Sequence, residues 1–146
     1  MAPIVSNIEI GRSPEEVFPY VTDPSRFGEW QKGVVSGSEE GHGVGARCVM
    51  TRKIGGTDRT STSEVTEYDP PRRWAIHGID GPIRADVSVL VEPLSGDSGE
   101  RSRVTLQLEF HGHGFGKVIA PLVTSQARKE VPNSCQKLKE RLEQGS

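Results

Sequence analysis

The apolar residues in the last third of the chain recur every three or four positions. From residue 117 onward they are Ile119, Val123, Ala127, Val131, Cys135, Leu138 and Leu142. Because an α-helix has 3.6 residues per turn, this spacing places them along one side of a single helix of about 27 residues. Such a helix extends for roughly 40 Å, as far as a strand of about 12 residues, so it can lie across a whole sheet. Pro132 lacks the N–H that would bond to the carbonyl of Arg128, which predicts a kink in this helix.

The rest of the chain is dominated by alternation of apolar and polar residues, which is typical of strands with one buried face. Strands are predicted at residues 3–10, 45–54, 57–68, 72–79, 83–92 and 104–110, with strands and turns beginning again from about residue 34. Gly55-Gly56 and Asp80-Gly81-Pro82 are typical of tight turns, and residues 95–102 of an exposed polar loop. The pattern predicts an antiparallel meander with one face buried and the other in water.

Two short helices are predicted between the first strand and this meander. Ser13 and Glu16 match a capping box, and Asp23-Pro24 repeats a helix-start signal a few residues later. The second helix ends so soon that its few hydrogen bonds cannot offset the cost of nucleation in water. We therefore expect Phe27 and Trp30 to pack on a large apolar surface, either in the core or at its edge.

Charge and cysteine content exclude several classes of protein. Eighteen Lys and Arg against 20 Asp and Glu give a net charge of -2, so no basic surface for nucleic acid is expected. No segment approaches the roughly 20 apolar residues that span a membrane, and the start "MAPIVSNIEIGR" does not match a signal peptide. Cys48 and Cys135 are expected to be free buried thiols. These features predict a soluble cytoplasmic protein of one domain, residues 1–146, monomeric or homodimeric and without a cofactor.

Three of the four histidines give no metal site. His111 and His113 stand two apart at the end of a predicted strand, but no further ligands follow at a spacing that zinc uses. His42 lies in the glycine-rich segment "GHGVG" and is expected to be exposed. Neither this segment nor "HGHGFGKV" (111–118) matches a dinucleotide- or phosphate-binding loop, so both are interpreted as flexible loops. No metal ligand is predicted.

His77 is the histidine that bears most directly on catalysis. It lies in a predicted strand with Trp74 and Ile76 on the opposite face, and because both of those residues favour burial, His77 is expected to point outward. Turned inward, it would be a general-base candidate in an apolar pocket. Tyr68 is the second catalytic candidate. Five charged or polar residues lie in predicted strands, and most of them are expected to face water: Arg52, Asp58, Tyr68, Arg84 and Asp86.

The order of these elements resembles the START-like, or SRPBCC, superfamily. The local sequence is most similar to that of its polyketide cyclase/dehydratase-like members in two segments, "SPEEVFPYVTDPSRFGEW" and "EVTEYDPPRRWAI". The resemblance covers nearly the full length and implies an α+β helix-grip fold, as in the birch pollen allergen. In that fold a curved antiparallel sheet of six to seven strands wraps around the long C-terminal helix, and two short helices after strand 1 plug one end. The loop "GHGFG" (112–116) before the long helix would border the mouth of a cavity.

The resemblance also implies a ligand cavity between the sheet and the long helix. The side chains expected to line it are Phe27, Trp30, Val65, Trp74, Ile76, Val87, Val89, Leu106, Leu108, Phe110, Ile119, Val123 and Ala127. The first hypothesis is binding of a hydrophobic small molecule that is lipid-, polyketide- or quinone-like. The alternative is a cyclase, aromatase or dehydratase that acts on a polyketide-like chain in the same cavity, with His77 or Tyr68 as acid–base group. A partner-binding domain is the third hypothesis, and it would require a contiguous exposed apolar patch.

Overall fold

A computed structural model describes residues 3–54, 56–94 and 101–144 of the chain. The strands are β1 (Ile4–Ile10), β2 (Val34–Glu40), β3 (Arg47–Ile54), β4 (Thr57–Asp69), β5 (Arg73–Asp80), β6 (Ile83–Pro93) and β7 (Ser102–Gly112). The helices are α1 (Pro14–Val21), a 3₁₀ helix (Pro24–Glu29) and α2 (Gly116–Gln144). Gly55 and most of the predicted loop at 95–102 lie outside the described residues.

The seven strands form one antiparallel sheet in the order β1-β7-β6-β5-β4-β3-β2, which curls into a half barrel. Strands β1 and β2 occupy opposite edges although they are neighbours in sequence. The chain between them must therefore cross from one edge to the other, and it does so through α1 and the 3₁₀ helix. Helix α2 packs chiefly on β1 and β7. This arrangement confirms the predicted helix-grip fold.

Helix α2 differs from its prediction in which residues it buries. Val131, Cys135 and Leu138 are buried as expected, but nearer the start of the helix Ala120 and Thr124 are buried, while Ile119, Val123 and Ala127 are only half-buried. The physical reason is geometric: a step of four residues turns about 40° beyond a full turn, so a stripe spaced by fours winds around the helix. No helix in the described ranges combines the length and apolar character needed to cross a bilayer.

The second short helix is a 3₁₀ helix, and its packing is set by a glycine. The side chain of Asp23 accepts a hydrogen bond from the backbone N–H of Ser25 at 3.0 Å, which starts the helix. A Cβ on Gly37 of β2 would collide with the carbonyl oxygen of Pro24 and lie 2.7 Å from Sδ of Met50. Only a residue without a side chain lets the helix approach the sheet this closely.

The end of α2 is bound to the start of the chain. The guanidinium of Arg12 donates to the carbonyl oxygens of Leu142 and Glu143, both at 3.0 Å. The ammonium of Lys139 donates to the carbonyl of Glu9 at 2.8 Å, and the backbone N–H of Gly11 donates to the Glu143 carboxylate at 2.8 Å. The two bonds from Arg12 satisfy carbonyls that the last turn of a helix leaves without partners.

Candidate functional site

The two ends of the interval between sheet and α2 differ in how tightly they are packed. The inner face of the sheet is the face that carries the buried residues Met50, Val65, Trp74, Val89 and Leu106. Towards the C-terminal end of α2 the core is closed, with Ile10, Val91, Val104 and Leu138 all 0% exposed.

The opposite end of the sheet is formed by the β3–β4 and β5–β6 turns and by residues 113–115, and we call it the open end. The inner-face residues Val87, Leu108 and Phe110 near this end are only half-buried, as are Ile119 and Val123 on the first turns of α2. Apolar side chains from both layers thus keep some solvent exposure at this end, although Ile83 and Ala120 there are buried.

Two arginines lie on the inner face at the open end. Arg52 of β3 and Arg59 of β4 are directly opposite each other in the ladder. Arg52 follows Met50 by two positions, so it shares the inner face, and its Nη2 donates to Oε1 of Gln31 at 2.9 Å. Within the described residues neither arginine forms a salt bridge. Arg52 therefore corrects the expectation that it faces water.

The environments of the two guanidinium groups differ. Burial lowers the pKa of Arg52 to about 10, and the nearby carboxylate of Glu130 on α2 opposes that shift. Arg52 consequently keeps its charge at neutral pH. The guanidinium carbon of Arg59 lies 5.2 Å from the centre of the Phe115 ring, a cation–π distance, and Phe115 is in the loop that leads into α2.

Among the described residues, three buried polar side-chain atoms have no hydrogen-bond partner. They are Nε1 of Trp30, Nε of Arg59 and Oγ1 of Thr124. A buried donor or acceptor without a partner costs about 1–3 kcal/mol, so such atoms mark positions where a water or a ligand atom would be stabilising. Trp30 contacts Phe27 edge-on with ring centres 5.8 Å apart, and Phe27 contacts Trp74 in the same way at 6.1 Å.

A cleft of about 370 Å³ lies between the 3₁₀ helix and α2. Its lining includes Trp30, Gln31 and Glu130, so it reaches the groups that surround Arg52. A second cleft, of about 420 Å³, lies on the other side of the 3₁₀ helix and is lined mainly by charged residues. In this second cleft Glu29 accepts a hydrogen bond from Tyr20 at 3.0 Å and pairs with Arg26 at 3.5 Å. Of the two clefts, the smaller one is lined by the groups that contact Arg52.

The side chains predicted to line a cavity occupy three environments. Those buried in the core are Phe27, Trp30, Val65, Trp74, Ile76, Val89 and Leu106. Those partly buried against it are Val87, Leu108, Phe110 and Ala127, and Ile119 and Val123 are half-buried near the open end. Their role in binding a ligand remains a prediction.

The two catalytic candidates lie on different faces of the sheet. His77 is exposed on the outer face, as its neighbours predict, with Nδ1 2.5 Å from Oδ1 of Asp86. The other oxygen of Asp86 lies 3.0 Å from Nε2 of His111, which places His111 in β7 rather than in a solvated loop. No group of metal-ligating side chains that could hold an ion is found in the described ranges.

Tyr68 lies on the side of the sheet that α1 covers. It is half-buried, its ring centre lies 6.0 Å from that of Phe18, and its hydroxyl is 3.2 Å from Nε2 of His42. The expectation that Tyr68 faces water is thus corrected, whereas His42 is exposed as expected. This pairing joins residues 26 positions apart, so sequence spacing gave no signal for it.

Known proteins are similar to this chain in sequence or in fold. An uncharacterised protein of Mycobacterium tuberculosis is 28% identical over 132 residues, which cover 88% of this chain and 87% of that protein. The structure of a START superfamily protein from Mycobacterium smegmatis superposes with a TM-score of 0.80 at 14% identity, over 100% of both chains. An aromatase/cyclase from a Streptomyces species superposes with a TM-score of 0.77 at 13% identity, over 97% of this chain and 93% of that one.

Structural similarity at these identities shows a shared fold. The family itself follows from the sequence match. A model described as polyketide cyclase/dehydrase and lipid transport matches residues 1–143. The chain therefore belongs to the polyketide cyclase/dehydrase and lipid transport family.

Proposed function

We propose that this protein binds an apolar small molecule between the inner face of the sheet and the first half of α2. The observation that carries the proposal is the contrast between the two ends of the core. Leu138 and its neighbours are fully buried, whereas Val87, Leu108 and Phe110 keep solvent exposure beside the half-buried Ile119 and Val123. A ligand that covered these side chains would gain about 25 cal/mol for each Å² of apolar surface removed from water.

The composition of the open end supports the same function. Small-molecule sites are mostly apolar, with a few polar groups that fix the orientation of the ligand. Here the apolar walls are accompanied by the unpartnered Oγ1 of Thr124 and Nε of Arg59. The family description includes lipid transport, which is consistent with an apolar ligand.

Fluorescence of the neutral probe N-phenyl-1-naphthylamine tests the proposal. The protein is expected to increase and blue-shift the probe emission, and Val123→Trp, which fills the interval, is expected to weaken binding by about 10-fold. Leu122→Trp is the matched control: Leu122 is the preceding residue, is 69% exposed, and should leave the affinity within about 2-fold. Absence of any probe binding to the unmodified protein would contradict the proposal, as would equal effects of the two substitutions.

Catalysis is the alternative function, and its candidate group Tyr68 lies at the end of β4 away from the open end. It is favoured by the family description, which names cyclases and dehydrases, and by the hydrogen-bonded pair of Tyr68 and His42. Incubation with a linear polyketide thioester separates the two functions: a cyclised product that is formed by the unmodified protein and lost in Tyr68→Phe would support the enzyme. His77→Ala is the matched control, because His77 lies on the outer face. Equal product from the protein and from a buffer blank would support binding alone.

A further inference from the structure

We propose that Arg52 and Arg59 form a subsite for an anionic oxygen of the ligand, such as a carboxylate, enolate or phenolate. This inference rests on the proposed function and makes it more specific, because the ligand would then be an amphipathic acid rather than a neutral lipid. It is argued from the register of the two residues, from their free donors and from the charges around them.

The register places two like charges side by side on a semi-enclosed face. Arg52 and Arg59 are direct antiparallel partners, so their Cβ atoms are about 5 Å apart, and like charges at such a position repel. Neither forms a salt bridge within the described part of the chain. An anion between the two groups would offset this repulsion, because it would attract both guanidinium groups.

The two guanidinium groups retain donors for such an anion. A guanidinium carries five N–H donors in a planar fork that fits the two oxygens of a carboxylate. Arg52 donates from Nη2 to Gln31, and the buried Nε of Arg59 has no partner. The ring of Phe115 stacks against Arg59 and restricts the plane of its guanidinium, which reduces the conformational entropy lost when a ligand binds.

Glu130 is an acidic group that acts on Arg52. Its carboxylate interacts electrostatically with Arg52, and Oε1 also accepts a hydrogen bond from Nε2 of Gln126 at 2.7 Å. No carboxylate forms a salt bridge with Arg59 within the described residues. Arg59 is therefore expected to contribute more than Arg52 to the binding of an anion.

A purely structural role is the competing explanation. Arg52 would then only tie Gln31 to the sheet, and Arg59 would only hold the loop at Phe115. In that case substitution of either arginine would affect acidic and neutral ligands equally. The two explanations therefore differ in ligand preference, and a matched pair of ligands separates them.

The test uses dodecanoic acid and 1-dodecanol as competitors of N-phenyl-1-naphthylamine at neutral pH. The unmodified protein is expected to bind the acid about 10- to 100-fold more tightly than the alcohol, and a rise in ionic strength should reduce this preference. Arg59→Gln is expected to remove most of the preference for the acid, and Arg52→Gln part of it. In both variants the affinity for the alcohol should stay within about 2-fold of that of the unmodified protein. Arg47→Gln is the matched control, because Arg47 lies on β3 and is exposed.

Two further variants make the outcome decisive. Arg59→Met keeps the length of the side chain without its charge and replaces Arg59→Gln if that variant does not fold. Glu130→Gln removes the opposing charge and should increase affinity for the acid by about 2- to 5-fold. Equal affinity of the unmodified protein for acid and alcohol would overturn the subsite while leaving the proposed function intact. Failure to bind the neutral probe would overturn the proposed function itself.

Discussion

The thiol of Cys48 lies on the inner face of β3 and is 0% exposed. Burial raises its pKa to about 12, and the nearby carboxylate of Glu39 adds to the effect. Burial also raises the pKa of Cys135, although a hydrogen bond to Ser6 partly opposes it. Both residues are free thiols, as the sequence predicts, and their packing keeps them protonated at neutral pH.

Stability should consequently fall in alkaline solution. A thiol whose pKa is raised by folding stabilises the native state fully below its ordinary pKa of 9.0, and that contribution is lost as the pH rises towards about 12. Urea unfolding at a series of pH values is expected to show a loss of up to about 1.4 kcal/mol per pH unit for each such group. The free energy of unfolding of Cys48→Ala, relative to its own value at neutral pH, should fall less over this range. An identical slope for both proteins would contradict the prediction.

Arg52 shows how far single residues can be placed from sequence. It was expected to face water, yet its position two residues after the buried Met50 puts it on the inner face, whereas His77 is correctly placed outside because Trp74 and Ile76 compete for burial. The partner of Arg52, Gln31, comes from the end of the 3₁₀ helix, 21 residues away. Such contacts depend on how separate elements pack, and alternation within one strand carries no information about them.

At the scale of elements, the 3₁₀ helix also combines a feature that the sequence predicts with one that depends on packing. Asp23 and Pro24 predict that a helix starts there, and the structure confirms it. Its type is decided by tertiary contact: the helix must fit beneath β2, where Gly37 admits the backbone of Pro24. Pro132 lies within the continuous helix α2, because packing of its buried face outweighs the local preference of proline.

Gly37→Ala should therefore destabilise the protein. The new Cβ would overlap the backbone of Pro24 and crowd the sulfur of Met50, and overpacking of this kind costs about 1–3 kcal/mol. Gly28→Ala is the control, because a Cβ there would meet Val34 at an ordinary distance of 3.6 Å. Guanidinium unfolding should give a clearly lower midpoint for Gly37→Ala than for Gly28→Ala. Equal midpoints would mean that the 3₁₀ helix can move away from β2 at no cost.

At the scale of the molecule, the order of elements predicted the helix-grip fold through its resemblance to the START-like superfamily. The extent of the domain over residues 1–146 remains a prediction. The resemblance implied a cavity mouth at the loop before α2, but the exposure of the open end was not predictable from these elements. That exposure depends on the distance between α2 and the inner face. Phe110 and Val123 are half-buried because of how these two layers pack, and the pattern of a single element does not show this.

Substitution of two leucines on α2 tests how much buried and exposed positions of this helix contribute to the free energy of unfolding. Leu138 is 0% exposed and Leu122 is 69% exposed. Leu138→Ala is expected to lower the free energy of unfolding by about 2–5 kcal/mol, whereas Leu122→Ala should change it by less than about 0.5 kcal/mol. Chemical unfolding of both variants measures the difference. A large effect at Leu122 would indicate that the start of α2 packs against something further, such as a second copy of the chain.

The pairing of the first strand with the last has a consequence for synthesis on the ribosome. Strand β1 lies at an edge of the sheet and takes its ladder partner from β7, where Ile4 pairs with Leu108, and Arg12 holds the final turn of α2. A nascent chain emerges in order, so β1 stays without this partner until β7, about 100 residues later, has left the exit tunnel. The core beside β1 can close only after that point.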